Sequence, residues 1–146
     1  MIIIIDFGSQ TTHLISRRIG EMGVKSITIN PEGAINHIKT LQPKGIILSG
    51  GPASVYGKNS PTIDRKIFGL NIPILGICYG QQLLVQLLGG KVIAGKIKEY
   101  GPAFGKTSAG RPTSLFNNVP AIFKVWMSHG DEVIKIPPGF RYIASS

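Results

Sequence analysis

Residues 72–88 read Ile-Pro-Ile-Leu-Gly-Ile-Cys-Tyr-Gly-Gln-Gln-Leu-Leu-Val-Gln-Leu-Leu, and this stretch decides the fold. Its apolar start predicts a buried strand, and the residues after Gly80 have the pattern of a helix. Between the two stands Cys78, the single cysteine among the 146 residues. A strand, a sharp turn that carries a nucleophile, and a helix together form a nucleophile elbow, here with sulfur in place of oxygen.

The residues around Cys78 suit a reactive thiol. The turn is so tight that a Cβ two residues before or after the nucleophile would clash, and Gly76 and Gly80 remove both. The unpaired N–H groups and the dipole of the following helix are expected to favour the thiolate, which is the nucleophilic form. A lone cysteine can also be a small buried hydrophobe. The strand-to-helix context favours the nucleophile.

Composition narrows the class of protein. A chain of 146 residues with 42% hydrophobic residues fits one domain with a real core. A single cysteine permits no internal disulfide and suits a cytoplasmic protein. The start of the chain lacks the features of a signal peptide, and no apolar stretch is long enough to cross a membrane, so we expect no membrane association. The net charge is +9, but the basic residues are scattered without interleaved aromatic residues. This pattern favours a solvated basic face over a nucleic-acid site.

The first half of the chain alternates strands and helices. Strands are predicted over residues 2–5, 24–29, 45–48 and 72–77, and helices over 9–22, from 31, and over 61–68. This order predicts a doubly wound α/β domain, with a mostly parallel sheet and helices on both faces. From residue 91 onward short strands predominate, over 92–94, 97–100, 123–127, 132–136 and 141–144. We expect these to be antiparallel strands that extend the edge of the sheet.

The expected site lies at the carboxyl ends of the parallel strands. Three glycine-bearing loops follow such ends: Asp-Phe-Gly-Ser-Gln at residues 6–10, Ser-Gly-Gly-Pro at 49–52, and the elbow. Adjacent glycines let backbone N–H groups approach a ligand closely. The N–H groups of Gly51 and Tyr79 are therefore predicted to form an oxyanion hole.

A cysteine nucleophile needs a base, usually a histidine. We expect His13 and His37, in predicted helices, to be structural or exposed. His129, in Met-Ser-His-Gly-Asp at residues 127–131, follows a strand and is flanked by polar residues. From spacing alone it is the best candidate for the base, and a loop or substrate-contact role is the alternative.

These motifs, with those at residues 46–52, 73–82, 99–101 and 127–133, resemble the class I (triad-type) glutamine amidotransferases over essentially the whole chain. The resemblance implies a flavodoxin-like fold in which Cys78 attacks the side-chain amide of glutamine, and a thioester and ammonia form. It assigns the oxyanion hole to Gly51 and Tyr79, and it assigns binding of the substrate's α-amino and α-carboxylate groups to Gln82 and to Ser128, His129 and Gly130. His129 thus becomes a substrate-binding residue instead of the base. No metal ligand and no cofactor is implied within this chain.

One departure from the family is substantial. The family's catalytic His and Glu lie in a His-Pro-Glu motif, and this sequence contains none. The resemblance therefore implies that residues 1–146 are an amidotransferase domain that is incomplete at its C-terminus and inactive alone.

The motifs at residues 6–10 and 127–133 resemble one branch of the family, which supplies ammonia for the ATP-dependent conversion of XMP to GMP in purine biosynthesis. That likeness implies a synthetase domain outside this chain, in the same polypeptide or in a partner subunit. This domain would use ATP and Mg²⁺, and it would form a homodimer.

Two other functions remain open. The chain could serve another biosynthetic complex, such as anthranilate or carbamoyl-phosphate synthesis, or it could be a non-catalytic regulatory module with the same fold. The segment 127–133 argues against the first. The intact elbow argues against the second, because backbone strain is costly to keep without use.

Overall fold

The computed structural model describes residues 1–108 and 113–145, without the side chains of residues 96–99, 128 and 129. Within this part, no helix has the length and the apolar character that a membrane span requires.

Four parallel strands form the central sheet, as predicted. They are β1 (Ile2–Ile5), β2 (Ser26–Ile29), β3 (Gly45–Leu48) and β4 (Ile74–Gly76), in the order β2-β1-β3-β4. The pairs are in parallel register, with Ile3 opposite both Ile27 and Ile46. The β-branched run of β1 suits a central strand that is covered on both faces.

In the part of the chain that the structure describes, three α-helices connect or follow these strands: α1 (Thr12–Glu21), α2 (Ala34–Leu41) and α3 (Tyr79–Leu87). The chain leaves β1 for β2 on one side and then crosses back to β3 on the other. Right-handed crossovers therefore place α1 and α2 on opposite faces of the sheet. Burial agrees, because Ile3 and Ile5 share a core cluster with Ile38 of α2, whereas the fully buried Ile4 alternates to the other face. The doubly wound fold is confirmed.

The connection between β3 and β4 is less regular than predicted. The helix expected over 61–68 is a 3-10 helix, Arg65–Gly69, whose first turn is capped by Asp64. The Asp64 carboxylate accepts a hydrogen bond from the Lys66 N–H at 2.9 Å. Ile67 anchors this segment in the core, with no exposed surface.

The second half of the chain forms a sheet of its own. The strands are β5 (Lys91–Thr107), β6 (Ile122–Lys135) and β7 (Ala144–Ser145), antiparallel in the order β6-β5-β7. The predicted antiparallel strands are therefore present, but among the described residues they pair with one another and not with the edge of the parallel sheet. The pieces predicted over 92–94 and 97–100 belong to one long strand, which has a register irregularity between Ala94 and Glu99. Such an irregularity bends and twists a strand without ending it.

Candidate active site

Cys78 stands at the apex of the turn between β4 and α3. Its backbone has φ +47° and ψ −111°, a conformation that residues with a side chain rarely adopt. Hydrogen bonds hold the turn, because the Gly80 N–H donates to the carbonyl oxygens of Ser49 at 3.0 Å and Ile77 at 2.9 Å. Strain of this kind costs about 1–3 kcal/mol and persists where the surroundings fix the backbone.

The two glycines of the elbow are required for different reasons. A Cβ at Gly76 would lie 2.6 Å from Gln81 Cα and 2.9 Å from the Gly80 carbonyl carbon, so Gly76 makes room for the start of α3. A Cβ at Gly80 would overlap the Leu48 carbonyl oxygen, so Gly80 lets α3 approach β3. The predicted clash of a Cβ is therefore present at both positions, although the clash at Gly80 is with β3 and not with the rest of the elbow.

The resting thiol is harder to ionise than the sequence suggested. Cys78 is exposed as a residue, yet desolvation by the surrounding protein raises the pKa of its thiol above the ordinary value. In the part of the chain that the structure describes, no side chain hydrogen-bonds to the sulfur. The shift is opposite in direction to the one expected from the start of the helix, and its cause is desolvation.

A buried network joins the loops after β1 and β3 at the point where the strand order reverses. Ser49 is fully buried, and its Oγ accepts a hydrogen bond from the Phe7 N–H at 3.0 Å and donates one to the Gly50 carbonyl oxygen at 2.8 Å. Asp6 Oδ1 accepts a hydrogen bond from Thr12 Oγ1 at 2.8 Å. These bonds fix the position of the glycine pair beside the elbow.

Gly51 is packed so closely that no side chain fits. A Cβ there would lie 2.5 Å from the Phe7 carbonyl oxygen. Gly51 and Tyr79 line the same pocket as Cys78. Neither of their N–H groups donates to a backbone or side-chain oxygen of the described residues, so both are available to a ligand.

The pocket has a volume of about 520 Å³. It is lined on one side by the segment after β3 and by the elbow, and on the other side by β5 and β6. It brings together five of the predicted site residues: Gly51, Cys78, Tyr79, Gln82 and Gly130. The predicted contacts of the Ser128 and His129 side chains lie outside the described residues. The backbones of these two residues belong to β6, opposite Tyr100 and Glu99. His13 and His37 are exposed on helices, as expected, and do not line the pocket.

Two predicted residues have side chains that serve the structure. The Tyr79 ring is buried and packs against Phe7 with the ring centroids 5.2 Å apart, and its hydroxyl donates to the Pro61 carbonyl oxygen. Desolvation raises the pKa of the Tyr79 hydroxyl. Gln82 is buried in the pocket wall, and its Nε2 donates to the Asp131 carbonyl oxygen at 3.3 Å.

Among the pocket residues that the sequence reasoning did not assign to the site, Tyr56 and Asp131 form a hydrogen-bonded pair. The Tyr56 hydroxyl donates to Asp131 Oδ1 at 2.7 Å, which links the segment after β3 to β6 across 75 residues of sequence. Asp131 ends the Met-Ser-His-Gly-Asp motif that drew attention to His129, and that motif could have indicated it. Tyr56 had no signal in the sequence.

The fold and the elbow together define the class: an α/β protein with a cysteine at the nucleophile position, at the carboxyl edge of a parallel sheet. Residues 3–146 match the model of the family "Glutamine amidotransferase class-I", and the chain belongs to this family.

Among particular relatives, the chain is 53% identical over all of its 146 residues to GMP synthase [glutamine-hydrolyzing] of Staphylococcus aureus strain JH9, and it spans 28% of that protein's length. The same enzyme of strain Newman gives the same values.

Solved structures agree with the fold. A Thermoplasma acidophilum protein, described as a proposed component of GMP synthase, has a TM-score of 0.87 and 29% identity, over 99% of this chain and 72% of that one. A glutamine amidotransferase from Thermotoga maritima has a TM-score of 0.70 and 22% identity, over 94% of this chain and 63% of that one. The latter likeness supports the fold alone.

Proposed function

We propose that this chain is the glutamine-hydrolysing part of a GMP synthase and supplies ammonia for the ATP-dependent conversion of XMP to GMP. The observation that carries the proposal is the strained Cys78 beside the two free N–H groups of Gly51 and Tyr79, in one pocket. The 53% identity to a glutamine-hydrolysing GMP synthase over the whole chain supports the choice of acceptor.

The first chemical step is nucleophilic attack. The Cys78 thiolate adds to the side-chain amide carbon of glutamine, and the carbonyl oxygen becomes an oxyanion that accepts hydrogen bonds from the Gly51 and Tyr79 N–H groups. The C–N bond then breaks, the nitrogen takes up a proton and leaves as ammonia, and a thioester remains. Water hydrolyses the thioester to glutamate and restores the thiol.

Proton transfer needs a further group. Because the thiolate is the nucleophile, a base must remove the proton of Cys78, and the same group can protonate the leaving nitrogen. The described residues that line the pocket include no histidine. We assign this task to the His and Glu that the family resemblance implies outside this sequence, and we assign His129 to the substrate.

The remaining pocket residues are proposed to hold the amino-acid end of glutamine. Gln82, Ser128, His129 and Gly130 take this role by resemblance. Gln82 is well suited to it, because its hydrogen bond to the Asp131 carbonyl oxygen fixes a buried amide in the pocket wall.

The acceptor chemistry is proposed to belong to a synthetase domain, in the same polypeptide or in a partner subunit. The described residues contain no cluster of three or more His, Cys, Asp or Glu that could hold a metal ion. By resemblance, we assign ATP and Mg²⁺ to the synthetase domain, and also the contact that forms a homodimer. We place the assembly in the cytoplasm.

The test uses the natural gene product with XMP, ATP and Mg²⁺. Cys78→Ala should abolish GMP formation from glutamine and preserve GMP formation from added ammonia, because ammonia bypasses the thiol. The glutamine analogue 6-diazo-5-oxo-norleucine should label Cys78 alone. Unchanged glutamine-dependent activity in Cys78→Ala, or labelling at another residue, would overturn the nucleophile. Failure to form GMP from either nitrogen source would overturn the acceptor.

A further inference from the structure

The Ser49 hydroxyl is the part of the buried network that reaches the proposed oxyanion hole. Ser49 has no exposed surface, and its Oγ donates a hydrogen bond to the Gly50 carbonyl oxygen at 2.8 Å. Asp6 Oδ1 is a second acceptor near this hydroxyl, but it lies farther away, at 3.4 Å. A hydroxyl has one proton to donate, so the shorter bond to Gly50 takes it. The same Oγ accepts a hydrogen bond from the Phe7 N–H, and one buried atom therefore joins the loop after β1 to the glycine pair.

The Gly50 carbonyl and the Gly51 N–H belong to one peptide group. No peptide bond in the described part of the chain is cis, and in a trans peptide group the C=O and the N–H point in opposite directions. Because Ser49 holds the carbonyl on its own side, the N–H points away from Ser49. Gly51 lines the pocket, and its N–H has no acceptor among the described residues. Ser49 thus sets the direction of a proposed oxyanion donor.

Without this hydrogen bond the peptide group between the two glycines could turn over. Such a turn changes ψ of Gly50 and φ of Gly51, and glycine adopts positive and negative φ about equally well. The preceding peptide group is held separately, because the Ser49 carbonyl oxygen accepts a hydrogen bond from the Gly80 N–H at 3.0 Å. Among the described residues, the Ser49 hydroxyl is the one donor to the Gly50 carbonyl oxygen. A peptide group that had turned over would present its carbonyl oxygen, instead of its N–H, to the oxyanion.

We propose that Ser49 is a positioning residue for glutamine hydrolysis, which keeps the Gly51 N–H directed at the oxyanion by holding the Gly50 carbonyl. The inference rests on the proposed function and adds a residue to the same site. Ser49 is not among the residues that line the described pocket, so it acts through the peptide group and not on the substrate. The oxyanion forms in the transition state and is absent from bound glutamine. Loss of the hydroxyl should therefore lower kcat and leave KM nearly unchanged.

The test measures the release of glutamate from glutamine by the natural gene product. Ser49→Ala should lower kcat by about 10- to 100-fold, which approaches the loss of a whole oxyanion donor. KM should change by less than about 2-fold, because uniform binding of the substrate is kept. Ser49→Cys has a side chain of similar size with a weaker donor, and its kcat should lie between those of wild type and Ser49→Ala.

A matched control makes the same chemical change elsewhere. Ser16 Oγ, on α1, is hydrogen-bonded to Ser26 Oγ at the start of β2, at 2.9 Å. This pair lies at the amino end of the parallel sheet, whereas the pocket lies at its carboxyl end. Ser16→Ala therefore removes a hydrogen bond between side chains without reaching the glycine pair, and it should keep the wild-type kcat.

Labelling of Cys78 by iodoacetamide separates the peptide group from the elbow. The thiolate displaces iodide in this reaction and no oxyanion forms, so Ser49→Ala should be labelled at the wild-type rate. An equal fall in kcat and in the labelling rate would show that the elbow itself is disturbed, and it would overturn the inference.

Crystal structures of the wild-type and Ser49→Ala proteins give a readout that needs no turnover. The peptide group between Gly50 and Gly51 should have one orientation in the wild type and a turned-over or mixed orientation in the variant. Wild-type kcat in Ser49→Ala, or an unchanged peptide orientation, would overturn the inference while glutamine hydrolysis still stands. If the wild-type protein hydrolyses no glutamine, the proposed function fails, and the two structures still decide the role of Ser49. Should Ser49→Ala not fold, Ser49→Cys gives the same decision at its smaller amplitude.

Discussion

Replacement of Gly51 by alanine should disable glutamine hydrolysis while the fold survives. The new Cβ would stand 2.5 Å from the Phe7 carbonyl oxygen, whereas ordinary contacts begin at 3.4 Å, so the loop must move by about 0.9 Å. The hydrogen bond from the Phe7 N–H to Ser49 Oγ holds Phe7 in place. The backbone segment that contains the Gly51 N–H must therefore move instead. A misplacement of about 1 Å can cost about 10²-fold in rate, and the loss of one oxyanion donor costs about 10²–10³ in kcat.

The neighbouring glycine supplies the control. A Cβ at Gly50 would lie 3.5 Å from Ser9 Oγ and 3.7 Å from Cys78 Cβ, which are ordinary contacts. The assay is steady-state release of glutamate by the natural gene product, with thermal unfolding as the check on the fold. Gly51→Ala should lose about 10²-fold or more in kcat, and Gly50→Ala much less. Equal rates in the two variants, or a Gly51→Ala protein with wild-type kcat, would refute the assignment of the Gly51 N–H.

Further predictions concern the elbow. Tyr79→Phe keeps the backbone N–H, so the rate of glutamine hydrolysis should stay near wild type. The Pro61 carbonyl oxygen loses its donor, so the free energy of unfolding in urea should fall by about 1 kcal/mol. A severe loss of kcat in a folded variant would show that the Tyr79 hydroxyl takes part. Cys78→Gly should be more stable than Cys78→Ala by about 1 kcal/mol, because glycine tolerates φ +47°; equal urea midpoints would argue against strain. Because burial raises the pKa of the Cys78 thiol, the rate of iodoacetamide labelling should still rise above pH values of about 8.5, where an ordinary thiol is half ionised; a plateau below about pH 8 would contradict this. Residues 1–146 expressed alone should hydrolyse glutamine negligibly; steady turnover that His129→Ala abolishes would make His129 the base.

The elements that the sequence predicted well are those with local causes. The β-branched run of β1 and the apolar strand before Cys78 are continuous, and a continuous run needs no distant partner to be recognised. The position of the site followed from the rule on strand ends, because the loops at 6–10 and 49–52 and the elbow all follow parallel strands. Cys78, Gly51 and Tyr79 consequently lie in one pocket.

The elements that the sequence could not predict depend on distant contacts. Gly95, Gly101 and Pro102 look like turn residues, yet β5 runs through them for 17 residues because β6 pairs with it along most of that length. The reason for Gly80 is also distant, since the clash that it avoids is with Leu48 of β3. The hydrogen bond between Tyr56 and Asp131 spans 75 residues, and no local pattern encodes such a pair.

The elbow favours reaction at Cys78 through its backbone geometry and not through a lowered pKa of the thiol. The strained backbone of Cys78 costs about 1–3 kcal/mol, and the Gly80 N–H, bonded to both Ser49 and Ile77, keeps that backbone from relaxing. The sulfur is thus presented beside two N–H groups, while desolvation raises the pKa of its thiol. In the proposed mechanism a base removes the thiol proton, and the same group protonates the nitrogen that leaves.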